Sequence, residues 1–251
     1  PQAHASIIRG TKVITDMLLP IFSNRTAQYN AKDGHIYVTG DFITHPSSST
    51  YPVSENALMI IDNHQVITTI HPLDQPDLEA GPLAINPTNG DVYVLVGNKV
   101  VYWDRVHPWQ AIDLYAKGFT QSLPCITVEP KRGWAYVCAW MVPKSYVVVL
   151  DKNRLVQAIP VAKWPAVAAA DAKHDYVYVG HYDPTNLSVI RGTELITTLN
   201  IIGAGTNGLV VDEAKDKIYT ANGDDGTVDV FGFDQPAAPT FWQTYLPWLK
   251  R

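Results

Sequence analysis

The stretch His174–Val179, with the sequence HDYVYV, decides the fold because the same turn-and-strand pattern recurs along the chain. Its other copies are Asp33–Val38, Asn89–Val94, Arg132–Val137 and Lys215–Thr220, and the tyrosines of successive copies lie 56, 43, 42 and 41 residues apart. Valine and tyrosine favour strands, and the Gly, Asn and Asp residues before them favour turns. A period of roughly 42 residues made of short strands predicts an all-β β-propeller of four-stranded antiparallel blades.

The two ends of the chain each contain part of a blade. Ser6–Thr15 (SIIRGTKVIT) closely matches Ser188–Thr197 (SVIRGTELIT), which forms the third and fourth strands of a complete unit. The last repeat, at the other end of the chain, supplies the first half of a blade. A blade shared by the N- and C-terminal strands would close the ring and remove two open sheet edges, which predicts five blades, with six as the alternative. Because Ser6–Arg9 and Thr227–Phe231 both match a third strand, a surplus strand or the loss of blades from a longer ring stays open.

The repeat pattern ends at Phe233, so we expect a propeller over residues 1–233 and a separate segment over 234–251. This segment opens with a Pro/Ala linker, which is extended by composition, and then concentrates large aromatic and aliphatic residues. Two interpretations are open. The tail packs back on the propeller, or it docks a partner, a neighbouring copy or the cell surface through Trp242, Tyr245 and Trp248.

Composition limits the classes of function. The chain has 251 residues, of which 17% are charged, and its net charge is −5. This acidic balance lacks the clustered Lys and Arg of a nucleic-acid binder, and no apolar run approaches the roughly 20 residues that cross a bilayer. No phosphate loop, dinucleotide fingerprint or nucleophile elbow occurs. We therefore expect no cofactor, no nucleic-acid partner and no membrane-spanning segment.

The units resemble the YVTN-type bacterial β-propeller repeat. Lys217–Phe231 is similar to the family's YVTN…TVSVID core, and Ser145–Asp151 and Ala57–Asp62 match its second half. The resemblance covers the chain from about Ser6 to Phe233. It implies a secreted or surface protein that acts as a binding or adhesion module, although this chain has five repeats where the family often has seven.

Cys125 and Cys138 are the only cysteines in the chain. They lie on the first and second strands of one blade, at equal distances from a turn near residues 131–132, so we expect them to face each other. Opposed Cα atoms lie roughly 4.5–5.5 Å apart, which a disulfide can span. A cross-strand disulfide would indicate an oxidising compartment, and two buried thiols packed in the blade are the alternative.

Aromatic side chains concentrate in the loops that precede each first strand and follow each second strand. The longest of these loops, Phe42–Pro52, is an insertion, and insertions in repeat proteins often map to the binding face. The sequence predicts a sugar- or peptide-binding surface there, with the alternative that the aromatics cap the blades. The candidate residues are Tyr51, Trp140, Trp164, His181 and Tyr182.

A second function is a metal-dependent hydrolase or lyase, similar to lactonases, with its site at the axial channel. Its candidate ligands, Asp41, Asn98, Asp183 and Asp224, follow second strands in four repeats. Asp and Asn are also ordinary turn residues, which is the simpler interpretation. Two sequons, at Asn24 and Asn186, predict glycosylation only if the source modifies secreted proteins.

Together these patterns favour a non-catalytic β-propeller that is extracellular, on the cell surface or periplasmic. It would serve as a binding or assembly module. The expected partner is another protein, a glycan or other cell-surface component, or a second copy of the chain.

Overall fold

The structure is a computed structural model that describes residues 4–19, 21, 23–43, 54–73, 78–119, 122–233 and 241–247. Within these ranges all regular secondary structure is β-strand, as the repeat pattern predicts. The described residues include no helix long and apolar enough to cross a membrane.

The first of two compact units, Pro1–Lys117, contains a hairpin and two four-stranded antiparallel sheets. The hairpin pairs β1 (His4–Arg9) with β2 (Lys12–Leu18). In the sheets each strand pairs with the next along the chain. Their strands are β3 (Ser23–Asn30), β4 (His35–Ile43), β5 (Ser54–Asp62) and β6 (Gln65–Ile70), then β7 (Ala80–Ile85), β8 (Val92–Val96), β9 (Lys99–Trp103) and β10 (Gln110–Asp113).

The second unit, Gly118–Arg251, contains three four-stranded sheets with the same consecutive pairing. The strands of the first sheet are β11 (Ile126–Glu129), β12 (Trp134–Ala139), β13 (Ser145–Asp151) and β14 (Arg154–Val161). The second has β15 (Pro165–Asp171), β16 (Tyr176–His181), β17 (Asn186–Arg191) and β18 (Glu194–Asn200). The third has β19 (Thr206–Asp212), β20 (Lys217–Asn222), β21 (Thr227–Phe233) and β22 (Phe241–Pro247).

The turn between the first and second strands requires a left-handed residue, and two solutions occur in the second unit. Gly133 has φ 71° at no steric cost, whereas Asp175 has φ 64° in the equivalent turn. The Asp175 carboxylate accepts hydrogen bonds of 2.5 and 2.9 Å from Arg132 of the preceding sheet. These bonds hold the pKa of Asp175 below its ordinary value, and they tie neighbouring sheets together at this turn.

The repeated tyrosine is buried in four of the five copies, Tyr37, Tyr93, Tyr136 and Tyr178. A buried hydroxyl needs a partner, and the turn often supplies one. Tyr37 donates to Asp33 at 2.7 Å, and Tyr178 donates to Asp171 at 3.2 Å. Burial raises the pKa of Tyr37 to about 12, so the hydroxyl keeps its proton and remains a donor.

The two cysteines are opposed as the sequence predicts, and they form a disulfide. Cys125 and Cys138 have Cα atoms 5.1 Å apart, and the Cys138 N–H donates to the Cys125 carbonyl at 2.9 Å. The bond lies in the apolar core between the sheets β11–β14 and β15–β18. Of the two alternatives for these residues, the structure shows the disulfide.

The expectation that the chain ends share one blade is wrong. β1 and β2 form a two-stranded sheet of their own, and the last sheet takes its fourth strand, β22, from residues 241–247. The physical reason is that each blade has a single place for its third strand. In the last sheet β21 already occupies that place, so β1 cannot take it. Residues 241–247 therefore pack back as a strand, whereas the domain boundary at residue 233 stays a prediction.

The hairpin β1–β2 packs one face against the first sheet. Ala5 and Met17 contact an apolar cluster that includes Val38, Met59 and Ile61. Alternate side chains on the other face are exposed, as expected for strands with one buried face. The hairpin is thus held by one neighbouring sheet of its own unit.

Candidate binding site at the loop edge of the second unit

The topology of the second unit brings five loops to one edge of its sheets. In an antiparallel sheet of consecutive strands, the first and third strands start at the edge where the second and fourth end. The loops at that edge are residues 140–144, 162–164, 182–185, 201–205 and 223–226. We call these residues the loop edge.

Four loops of the loop edge each expose one large apolar or aromatic side chain. The exposed fractions are 72% for Val142, 41% for Trp164, 38% for Tyr182 and 64% for Ile202. Isolated exposed apolar residues are ordinary, so the notable feature is that these four lie on consecutive loops at one edge. The sequence predicted Trp164 and Tyr182 here but missed the other two.

Backbone hydrogen bonds fix the position of Trp164. Its own backbone is left-handed, with φ 51°, and its carbonyl accepts the Tyr182 N–H at 2.9 Å. The indole N–H of Trp140, from the preceding sheet, donates to the Pro165 carbonyl at 2.6 Å. An uncommon φ at a bulky residue persists only where the surroundings impose it, and such residues concentrate at functional sites.

Tyr182 connects two sheets at the loop edge. Its hydroxyl donates to the Asp224 carboxylate at 2.9 Å, one repeat further along the chain. This bond raises the pKa of Tyr182, so the hydroxyl stays protonated. Gly205 lies so close to Asp224 that a Cβ at position 205 would come within 2.5 Å of the carboxylate carbon and would displace this side chain.

The loop that carries Ile202 is held by the next loop, residues 223–226. Gly223 donates to the Gly205 carbonyl at 2.8 Å, and Ala204 donates to the Asp225 carboxylate at 3.0 Å. Beneath them, buried Asp229 accepts the Gly203 N–H at 3.1 Å. These bonds present Ile202 from a defined loop, and a defined loop lowers the entropy lost on binding.

His181 lies beneath the exposed side chains, fully buried. Its Nδ1 is 3.1 Å from the Lys163 carbonyl, which only accepts, so Nδ1 carries the proton. Its Nε2, 2.9 Å from the Ser188 hydroxyl, then accepts from that group. Burial lowers the pKa of His181 to about 4, so the ring is neutral and supports the loops from below.

Charged residues of opposite sign flank the exposed aromatics. Lys144 and Lys163 are exposed on the loops of the preceding sheet, and Asp183, Asp224 and Asp225 are exposed on the following loops. A partner that fits this surface would place acidic and basic groups on opposite sides of an apolar centre.

The remaining predicted residues lie in other places. Tyr51 and Trp248 fall outside the described residues. Trp242 and Tyr245 belong to β22, where they pair with Gly232 and Asp229. Their roles, like those of Trp140, Trp164, His181 and Tyr182, stay predictions.

The sequon residues lie on strands. Asn24 is on β3, opposite Gly40. Asn186 is the first residue of β17 and is only 9% exposed. Use of either sequon stays a prediction.

The four candidate metal ligands lie in two different units. Asp41 is buried and accepts the Ala80 N–H at 3.1 Å, and the Asn98 carbonyl accepts the Leu114 N–H at 3.0 Å. Asp183 is exposed, and Asp224 binds the Tyr182 hydroxyl. Among the described residues, no three His, Cys, Asp or Glu side chains are grouped closely enough to hold a metal ion.

Val142 and Ile202 were missed because neither is aromatic or carries chemistry. The only indication of these two residues in the sequence is their position in the loops. Val142 precedes a proline in the loop after β12, and Ile202 follows Ile201 in a glycine-rich loop where polar residues are the norm.

No protein-family model and no curated protein matches the chain. Among solved structures, it is similar to the Cps50 (Swd1) β-propeller domain of Myceliophteria thermophila, with a TM-score of 0.65, 12% identity, and coverage of 98% of this chain and 75% of that one. It is also similar to a chain in a nidogen/laminin complex, with a TM-score of 0.58, 10% identity, and coverage of 92% and 86%. A protein of unknown function from Bacteroides caccae gives a TM-score of 0.54, 12% identity, and coverage of 85% and 73%.

Identities this low show the fold alone. The fold is a β-propeller, which agrees with the all-β structure and its four-stranded antiparallel sheets. A propeller hosts many unrelated functions, so the function has to be argued from the site.

Proposed function

We propose that this chain is a propeller-type binding module that recognises another protein through the loop edge of its second unit. The observation that carries the proposal is the row of exposed apolar side chains on four consecutive loops, Val142, Trp164, Tyr182 and Ile202. Hydrogen bonds between the loops position the segments that carry Trp164, Tyr182 and Ile202. The proposal concerns binding rather than catalysis.

Residue type and rigidity support a protein partner. Trp and Tyr are enriched among the residues that dominate binding energy, and they work best when few rotamers must be frozen. Hydrogen bonding fixes the backbone of Trp164, and the Tyr182 side chain is held by its bond to Asp224. One of the similar solved structures is a complex of two proteins, nidogen and laminin, which is consistent with a propeller that binds protein.

The disulfide supports an extracellular, cell-surface or periplasmic location, because such bonds persist in oxidising compartments. The resemblance to the YVTN-type repeat supports the same location and a role in surface binding. A cell-surface protein is therefore the partner we expect, and a glycan or a second copy of the chain would be recognised as a different outcome.

The test begins with a photo-reactive amino acid in place of Ile202, cross-linked to surface and secreted fractions of the source. The captured protein is purified, and its affinity is measured by surface plasmon resonance for Trp164→Asn, Tyr182→Ser and the double variant. Asn suits the left-handed backbone at position 164. Tyr29→Ser is the matched control, because Tyr29 is an exposed tyrosine of the first unit.

We expect each single variant to weaken binding about tenfold or more, which corresponds to roughly 1.4 kcal/mol. Tyr29→Ser should bind like the unmodified chain. Equal affinity of the double variant and the unmodified chain would contradict the proposal, as would cross-linking that yields only a glycan or the chain itself.

A further inference from the structure

The charged side chains of the loop edge are sorted by sign. The first two of its loops along the chain contain Lys144 and Lys163 and no acidic residue. The other three loops contain no basic residue, and their charged residues are Asp183, Asp224 and Asp225. Successive sheets of this unit pack side by side, so the loop edge runs from a basic end to an acidic end.

The opposite edge of the same sheets treats its charges differently. There the turns join acidic and basic side chains in ion pairs, which include Arg132 with Asp175 of the next sheet and Lys173 with Asp216. Among the described residues, none of the five charged side chains at the loop edge forms an ion pair. Unpaired surface charges that are sorted by sign steer and select a partner of complementary charge.

The acidic end has more hydrogen-bond acceptors than donors. Asp224 accepts the Tyr182 hydroxyl through Oδ1 at 2.9 Å, and its Oδ2 accepts no hydrogen bond within the described part of the chain. The Asp183 carboxylate, next to Tyr182 in sequence, is exposed and has no partner there either. Asn186, which follows this loop, has a buried Oδ1 that also lacks a donor among the described residues. The acidic end therefore fits a cation that brings several donors.

An arginine is the side chain that meets this requirement. Its planar guanidinium donates up to five hydrogen bonds, bonds carboxylates through two N–H groups at once and stacks on aromatic rings. The Tyr182 ring is exposed beside the Asp224 carboxylate, so one guanidinium can use both. At the basic end, Lys144 and Lys163 are compact cations on flexible stems, which suit an acidic side chain.

We propose that the loop edge selects a partner segment that has an acidic residue at one end, apolar residues in the middle and an arginine at the other end. The acidic residue meets Lys144 and Lys163, and the arginine bonds Asp224 and stacks on Tyr182. Segments that are acidic or basic at both ends are rejected, because one of their ends meets like charges. The inference rests on the function proposed for the loop edge and adds the charge pattern of the partner.

The probe is a phage-displayed library of short random peptides, which is selected on the full chain at low salt. The double variant Trp164→Asn/Tyr182→Ser serves for counter-selection, so that only peptides bound at the loop edge are scored. Affinities of individual enriched peptides are then measured by fluorescence anisotropy.

Three further variants test the charges. Lys144→Glu/Lys163→Glu makes every charge of the loop edge negative. Lys131→Glu/Lys152→Glu is the matched control, because it changes the net charge equally through two exposed lysines in turns at the opposite edge. Asp224→Asn removes a negative charge and keeps an oxygen that can accept the neighbouring hydroxyl.

We expect the unmodified chain and the control to enrich peptides with an acidic residue and an arginine on opposite sides of an apolar centre. Lys144→Glu/Lys163→Glu should enrich peptides that are basic at both ends, and it should bind a peptide selected on the unmodified chain about fivefold more weakly. Asp224→Asn should weaken the preference for arginine. High salt should reduce these differences, since the charges are exposed.

Enriched peptides with unsorted charges would overturn this proposal and leave the proposed function standing, as would an unchanged pattern in Lys144→Glu/Lys163→Glu. A change in the control as large as in that variant would also overturn it, because net charge rather than position would then decide. A selection that enriches no peptide over the counter-selecting variant would overturn the inference together with the function on which it rests.

Discussion

The hairpins β1–β2 and β17–β18 have similar sequences and one register, yet their surroundings differ. Ile190 of β17 is completely buried, whereas Ile8, at the equivalent place in β1, is 63% exposed. Ile190 lies in the core between the sheets β11–β14 and β15–β18. Among the described residues, the hairpin β1–β2 packs on the sheet β3–β6 of its own unit.

This difference teaches that register and burial have separate causes in a repeat protein. The bulge and the Arg-Gly-Thr turn are encoded within the hairpin, so both copies form the same pairs. Burial depends on which sheets and strands lie beside the hairpin. A hairpin that lacks those neighbours among the described residues keeps its strand pairs and exposes the side chains whose equivalents form core in the complete blade.

The largest expected contrast is between Ile190→Ala and Ile8→Ala. Ile190→Ala removes buried methyl groups and leaves a cavity, so we expect a loss of about 2–5 kcal/mol in the free energy of unfolding. Ile8→Ala removes exposed surface, and about 0.5 kcal/mol or less is expected. Urea unfolding of both variants measures the contrast. Because both substitutions replace a strand isoleucine with alanine, the loss of β-propensity is the same in each and cancels from the difference.

Equal losses would contradict the contrast, because they would mean that Ile8 is covered in the folded protein. A loss at Ile8 that grows with protein concentration would place a second copy against β1.

Much of the fold could be predicted because the signals are local. The Tyr-Val alternation predicts strands, the turn residues give the hairpins, and the spacing of Cys125 and Cys138 gives the pairing that the disulfide shows. The prediction for the two chain ends failed for a physical reason. β22 has no copy of the repeat motif, so nothing in its sequence marks it as a fourth strand, and the repeat pattern left that place open for β2.

The candidate site was predicted less completely. Aromatic loop residues pointed to Trp164 and Tyr182, but the bond from Tyr182 to Asp224 joins loops 42 residues apart, and no local pattern encodes it. His181 was taken as a surface candidate, yet it is buried, because the strand β16 continues two residues beyond its last valine, Val179. Tertiary packing decided these points.

A second contrast between the hairpins β17–β18 and β1–β2 concerns how their stability depends on pH. Ser188 of β17 binds the buried ring of His181, whereas the equivalent Ser6 donates to the exposed carboxylate of Asp16 at 2.8 Å. The His181 ring bonds the Ser188 hydroxyl and the Lys163 carbonyl, and neither of these groups is charged. Its folded pKa of about 4 lies below the unfolded value of about 6.5, so the unfolded chain binds more protons between these values.

The stabilisation from neutral His181 is therefore fully present above about pH 6.5 and is lost as the pH falls towards 4, by up to about 3 kcal/mol. Urea unfolding at pH 7 and pH 4.5 measures the loss, and His181→Gln, which cannot gain a proton, should reduce it. Hydrogen exchange should show β16–β17 opening in acid before β1–β2. An unchanged pH dependence in His181→Gln would rule out this histidine as the cause.

The smallest contrast is between the two arginines that end the third strands. Arg191 stacks on Tyr176 and donates to its hydroxyl, so Arg191→Ala should lower the free energy of unfolding by about 1 kcal/mol. Arg9→Ala should have no measurable effect on the chain alone, since its side chain lacks an equivalent ring among the described residues. Tyr176→Phe keeps the ring and removes the hydroxyl, and it should retain roughly half of the effect if stacking contributes. A stability loss in Arg9→Ala as large as that in Arg191→Ala would show that β1 already has an aromatic strand beside it, and the two hairpins would then differ less than their exposures indicate.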